Sequence, residues 1–71
     1  MNVNKLKGKI VEKGFNITDV ANRMGVDKTT LYRKINAQGE SLTIKDVSSI
    51  ADILELSSEE VTNIFFDKLI A

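Results

Sequence analysis

Apolar residues recur along this chain at three- and four-residue intervals and proline is absent, a pattern that predicts an all-α domain. Val3, Leu6 and Ile10 line one face of a first helix from about Val3 to Lys13, with Asn2 as N-cap and Gly14 as left-handed terminator. Gly8 interrupts this helix at a cost of up to ~1 kcal/mol relative to alanine, which a close helix contact there would justify. A second helix is expected over Ile17 to Met24, capped by Asn16 with Asp19 at the capping-box position. Gly25 then supplies a tight turn, and Asp27 caps a third helix from Lys28 to about Asn36. The run Ala37-Gln38-Gly39-Glu40-Ser41 reads as a loop. A fourth helix opens at Thr43 with Asp46 as its capping-box partner, its apolar face being Ile44, Val47, Ile50, Ala51 and Leu54. Ser57 and Glu60 form the strongest capping box in the chain and open a last helix through about Leu69. Glu59 and Glu60 lie in its first turn, where the helix dipole favours acids.

Composition narrows what such a domain can do. Seventy-one residues make one domain, residues 1–71, and a chain this short buries only about 60% of the surface that it exposes when unfolded. It contains no cysteine and no histidine. Disulfides and thiolate metal sites are thereby excluded, and the commonest general acid–base is missing, so neither an enzyme nor a cofactor or metal is expected. No apolar run reaches the roughly 18–20 residues of a membrane span, and the lysines of MNVNKLKGKI lead into no signal-peptide core. A cytoplasmic location in a bacterial host cell is the expectation, with no membrane partner.

The formal net charge is zero, but it is unevenly spread. Residues 1–40 hold eight lysines and arginines against four acids, a net +4, and residues 41–71 hold two against six, a net −4. Because screening limits charge interactions to about 8–10 Å, a polyanion would feel the basic half alone.

That half contains the ordered features of a helix-turn-helix. Val20, Met24, Val26 and Leu31 are the expected apolar contacts, Ala21 is small where two helices would cross, and Gly25 allows the turn. Projected at 100° per residue, Leu31 and Ile35 fall within about 40° of each other and face a core. Thr29, Tyr32, Arg33 and Asn36 form a stripe of hydrogen-bonding side chains on the other side, suited to base edges in a major groove. Arg33 suits guanine; Asn36 suits adenine or else caps the helix end. Lys28 and Thr30 flank the stripe and Lys34 projects to the opposite flank, where they suit the DNA backbone. A plain helical corner with a solvated polar face is the alternative to this reading.

The residues ITDVANRMGVDKTTLYRKIN and LTIKDVSSIADILELSSEEVTNIFF resemble the Cro/cI-type (XRE) helix-turn-helix family, and are especially similar to compact Cro-like regulators of phages and prophages of Gram-positive bacteria. The resemblance spans Asn16 to about Phe66. It implies a compact five-helix bundle of the lambda-repressor-like kind, a third helix that enters the major groove, and dimeric binding to a palindromic double-stranded DNA operator. Carried onto this chain it implies a reading surface of Lys28, Thr29, Thr30, Tyr32 and Arg33. Together the two readings assign base contacts to Lys28, Thr29, Tyr32, Arg33 and Asn36, and DNA-backbone contacts to Asn16, Thr30, Lys34 and Lys7. Two positions depart from the family pattern. Ile17 stands where many members have a phosphate-gripping glutamine, and Lys34 stands where an apolar residue is common, with Ile35 taking over the packing.

The last helix carries more apolar residues than one stripe requires. Val61, Ile64, Phe65 and Leu69 can face inward, while Phe66 and Ile70 lie on an adjoining strip. A homodimer interface of Phe66, Ile70 and Phe65 would present two reading helices to neighbouring major grooves about 34 Å apart; the alternative is that this segment folds back onto its own core. The function expected is a sequence-specific repressor with no small-molecule ligand, controlled by its concentration and by competition for operators. A protein-interaction module of the antirepressor or antitoxin-like kind is the competing reading.

Overall fold

The computed structural model describes residues 1–37 and 42–67. Five helices follow one another: α1 (Val3–Glu12), α2 (Ile17–Met24), α3 (Lys28–Asn36), α4 (Ile44–Leu54) and α5 (Ser58–Phe65), with no strand among the described residues. Helices of eight to eleven residues are too short to persist alone in water, so their ends matter. Each one starts on a side-chain cap: Asn2, Asn16, Asp27, Thr43 and Ser57 accept the backbone N–H of Lys5, Asp19, Thr29, Asp46 and Glu60 respectively. At Asn16, Thr43 and Ser57 the bond is returned, the carboxylates of Asp19, Asp46 and Glu60 accepting the N–H of the capping residue. Caps of this kind stabilise by about 0.5–2 kcal/mol each.

Three of the helices also end alike. Gly14 after α1, Gly25 after α2 and Glu55 after α4 take positive φ of 82°, 74° and 53°. The N–H of the next residue then reaches back five positions, from Phe15 to Ile10, from Val26 to Ala21 and from Leu56 to Ala51, at 2.9–3.0 Å. This is the Schellman arrangement, and it turns the chain sharply enough for the next short helix to pack back on its predecessor. At Gly14 and Gly25 the left-handed backbone carries no steric cost.

The buried core is drawn evenly from the five helices: Leu6 and Ile10, Val20 and Ala21, Leu31 and Ile35, Ile50 and Leu54, Ile64 and Phe65. The closest packing is α2 against α3, with α4 also packed on α2 and α5 alongside α1. Both the fold class and all five helix starts therefore agree with the pattern of the sequence.

Several expectations about individual residues do not hold. Ile44 is 74% exposed, because at the first position of α4 it stands roughly 100° from the Ile50–Leu54 direction in helical projection. Val26 is 36% exposed: its backbone closes α2, and its side chain lies outside the core that Leu31 fills. No atom comes within 4 Å of a Cβ built on Gly8, so no close helix contact explains that glycine. The last helix ends at Phe65, short of Leu69; the Ile64 carbonyl accepts the Asn2 N–H at 2.7 Å, which occupies an acceptor that a longer helix would use. Leu69 and Ile70, like residues 38–41 of the expected loop, lie outside the described residues.

Gly8→Ala should accordingly stabilise the protein by about 0.5–1 kcal/mol, raising the melting temperature by roughly 2–8 °C in a domain of this size. A calorimetric scan showing a lower melting temperature would mean that the space around Gly8 is occupied.

Candidate nucleic-acid interface

Because Leu31 and Ile35 are drawn into the core, the rest of α3 is turned outward. Lys28, Thr29, Tyr32, Arg33 and Asn36 are all exposed, with Tyr32 at 53%. All five expected base-reading residues thus share one solvent-facing surface. The start of α2 lies beside it. Asn16, Ile17 and Thr18 from α2 and Lys28, Thr29 and Tyr32 from α3 line a single open cleft of about 450 Å³. Two helix N-termini meet there, each with backbone N–H groups in its first turn, the feature that favours anions at helix starts.

The four residues expected at the DNA backbone fare differently. Asn16 stands at the rim of this cleft, its amide oxygen already accepting the Asp19 N–H at 2.8 Å. Thr30 is half-buried, on the flank that α3 turns away from the cleft. The Lys34 ammonium donates to the Asp46 carboxylate at 3.3 Å and is half-buried against α4. Lys7 is half-buried too, reaching from α1 to donate to Asn36 Oδ1 at 3.3 Å. Lys34 therefore joins α3 to α4 at a half-buried site, and this is how a cation fits a position where a family resemblance leads one to look for an apolar residue.

Ion pairing further divides the basic half. Lys9 sits 2.7 Å from Glu60 and 2.9 Å from Glu12, joining α1 to α5. Arg23, at the last turn of α2, lies over the Phe15 ring at 4.9 Å from its centroid, within cation–π range. On the exposed surface of α3 the positive charges are Lys28 and Arg33, with Lys7 at its edge. The net +4 of residues 1–40 thus overstates what a ligand of α3 meets. Thr18 and Ile17, neither of them expected at the site, line the cleft. Thr18 was detectable, since the second position of a capped helix exposes both its hydroxyl and its N–H. Ile17 is half-buried against the core, so the departure from glutamine gives the cleft an apolar wall.

A family model, the Cro/C1-type HTH DNA-binding domain, matches residues 5–67. The chain belongs to this family. Comparisons with curated proteins and with solved structures returned no match. The Cro/C1-type match runs from the first turn of α1 to the residue after Phe66, so it takes in the cleft, the exposed face of α3 and the elements that hold them. As a Cro/C1-type domain the chain is a DNA-binding regulator. Among the described residues no group of His, Cys, Asp or Glu side chains is placed to hold a metal, and no helix is long and apolar enough to cross a membrane.

The Lys9–Glu60 pair also sets a pH dependence. Glu60 is lowered from 4.5 to about 2, first by the Lys9 ammonium and then by the Ser57 N–H, while Lys9 is pushed up to about 12 by Glu60 and then Glu12. The folded protein binds the Glu60 proton more weakly than the unfolded chain, so this stabilisation is complete above pH 4.5 and lost as pH falls towards about 2. Glu60→Gln should melt below the wild type at neutral pH, with the gap closing across that acidic window. A gap that stayed constant with pH would contradict the pairing.

Proposed function

We propose that this protein is a sequence-specific transcription repressor, Cro-like in the manner of phage and prophage regulators, acting in the bacterial cytoplasm on a palindromic operator. The reading is carried by the exposed stripe Thr29-Tyr32-Arg33-Asn36 on α3, set beside a cleft formed by two helix starts. Nine residues of helix span about 13–14 Å, close to the ~12 Å width of a major groove. In this arrangement Arg33 takes guanine in a bidentate contact, Asn36 takes adenine, and Thr29 and Tyr32 meet thymine methyls or neighbouring edges. Lys28, at the first turn of α3 and on the cleft, serves a base or the adjoining phosphate, and the α2 start with Asn16 and Thr18 receives a phosphate.

Binding to selected duplex sites should fall steeply with salt through counterion release. Arg33→Ala should cost roughly 1–3 kcal/mol of specific affinity, and Lys28→Gln should shrink the salt slope by about one. Lys34→Gln should leave that slope at the wild-type value, because Asp46 already holds its charge. Absence of DNA binding even at low salt would sink the regulator reading and favour a protein partner.

Homodimerisation belongs to the same proposal, at a surface that differs from the expected strip of Phe65, Phe66 and Ile70, the last of which lies outside the described residues. Phe65 is 9% exposed and serves its own core, and Phe66 is half-buried against it. The candidate contact is therefore centred on exposed Ile44, with Leu42, Val47, Phe65 and Phe66 around a small apolar groove of about 140 Å³. Sedimentation should show a dimer for the wild type and a monomer for Ile44→Asp, at an unchanged far-ultraviolet circular dichroism spectrum. A monomeric wild type, with or without DNA, would refute the dimer.

A further inference from the structure

Among the described residues, Lys7 links α1 to the outward face of α3. Its ammonium donates to Asn36 Oδ1 at 3.3 Å and stands 5.7 Å from the centroid of the Tyr32 ring. Tyr32 and Asn36 are one helical turn apart, so a single amine touches both. Among the described residues neither makes another side-chain hydrogen bond, and both are exposed, Tyr32 at 53%. Lys7 by contrast is half-buried, with its stem laid along the protein. The bond leaves Asn36 its two amide donors and the second lone pair of Oδ1, enough for a bidentate contact to a base.

We infer that Lys7 is a positioning residue for base recognition: it holds Tyr32 and Asn36 in the orientation in which they read DNA. The inference rests on α3 being the DNA-facing helix, and it gives Lys7 a different role from the phosphate contact that its charge alone suggests. The physical reason is preorganisation. A tyrosine and an asparagine free to change rotamer would accommodate more than one base pair and would lose entropy on binding, whereas a pair held by one ammonium meets the right edge without rearrangement. A phosphate contact acts on every sequence alike, while a positioning contact acts on the difference between sequences.

The test uses duplex sites selected by the wild-type protein from a random library. Asn36→Ala and Tyr32→Ala identify the base pairs that depend on those side chains. Affinities for the selected site and its single-base-pair variants are then compared for the wild type, Lys7→Met and Lys7→Arg at several salt concentrations. Lys7→Met keeps the length of the side chain without its charge or donors. It should lose about 5- to 10-fold of discrimination at the base pairs that depend on Asn36 and Tyr32, with the salt slope unchanged, and Lys7→Arg should restore it. In the free protein the Asn36 side-chain amide and Tyr32 ring resonances should move in Lys7→Met and return in Lys7→Arg. A uniform loss on all sequences with a salt slope smaller by about one would make Lys7 a phosphate contact and overturn the inference, as would unchanged discrimination in Lys7→Met. If the wild type selects no sites at all, it is the DNA-reading proposal itself that fails, and the two failures are thus distinct.

Discussion

The crossing of α2 and α3 determines what this protein can present to a ligand. Ala21 of α2 is fully buried, and its carbonyl accepts the Val26 N–H that closes the turn between the two helices. One residue thus supplies both a core side chain and the acceptor for the reversal, with Gly25 giving the left-handed backbone in between. Once Leu31 and Ile35 are drawn in against that crossing, helical geometry leaves the Thr29-Tyr32-Arg33-Asn36 side no choice but to face outward. A larger side chain at Ala21 would overpack the core that Leu31 and Ile35 share with it.

Electrostatics refine this frame. The basic half of the sequence separates in three dimensions into cations that join helices and cations that remain outward. Lys9 binds α1 to α5 and Lys34 binds α3 to α4, each through a carboxylate that also belongs to a capping box. Glu60 and Asp46 therefore each do two things: they close the start of a helix and fix it against a neighbour. Such partly exposed pairs contribute only modestly to stability. Their geometric effect is larger, because they hold α5 against α1 and α4 against α3 while Lys28 and Arg33 stay available.

Much of this was legible in the sequence wherever the determining interaction is local. Asn, Asp, Thr or Ser opens every helix, and three of the five caps have an acid three positions on, so all five starts could be placed. The buried and exposed faces of α3 followed from its periodicity alone. What escaped detection depends on partners distant in sequence or on residues outside the usual rules. The end of α5 is decided by the N–H of Asn2, the left-handed stop of α4 falls on Glu55 and not on a glycine, and Ile44 is apolar yet exposed. The pairing of Lys34 with Asp46 and the reach of Lys7 to Asn36 are likewise tertiary facts. Charge counting along the chain could not separate a structural lysine from one open to a ligand.

The central claim is that α3, backed by the start of α2, is the surface that meets DNA. An amide NMR titration of the protein with a selected duplex tests it residue by residue. Resonances of Asn16–Thr18 and Lys28–Asn36 should move together and saturate together, with those of Glu59–Asn63 on α5 unmoved. Shifts concentrated on α4 and α5, with α3 silent, would contradict the account.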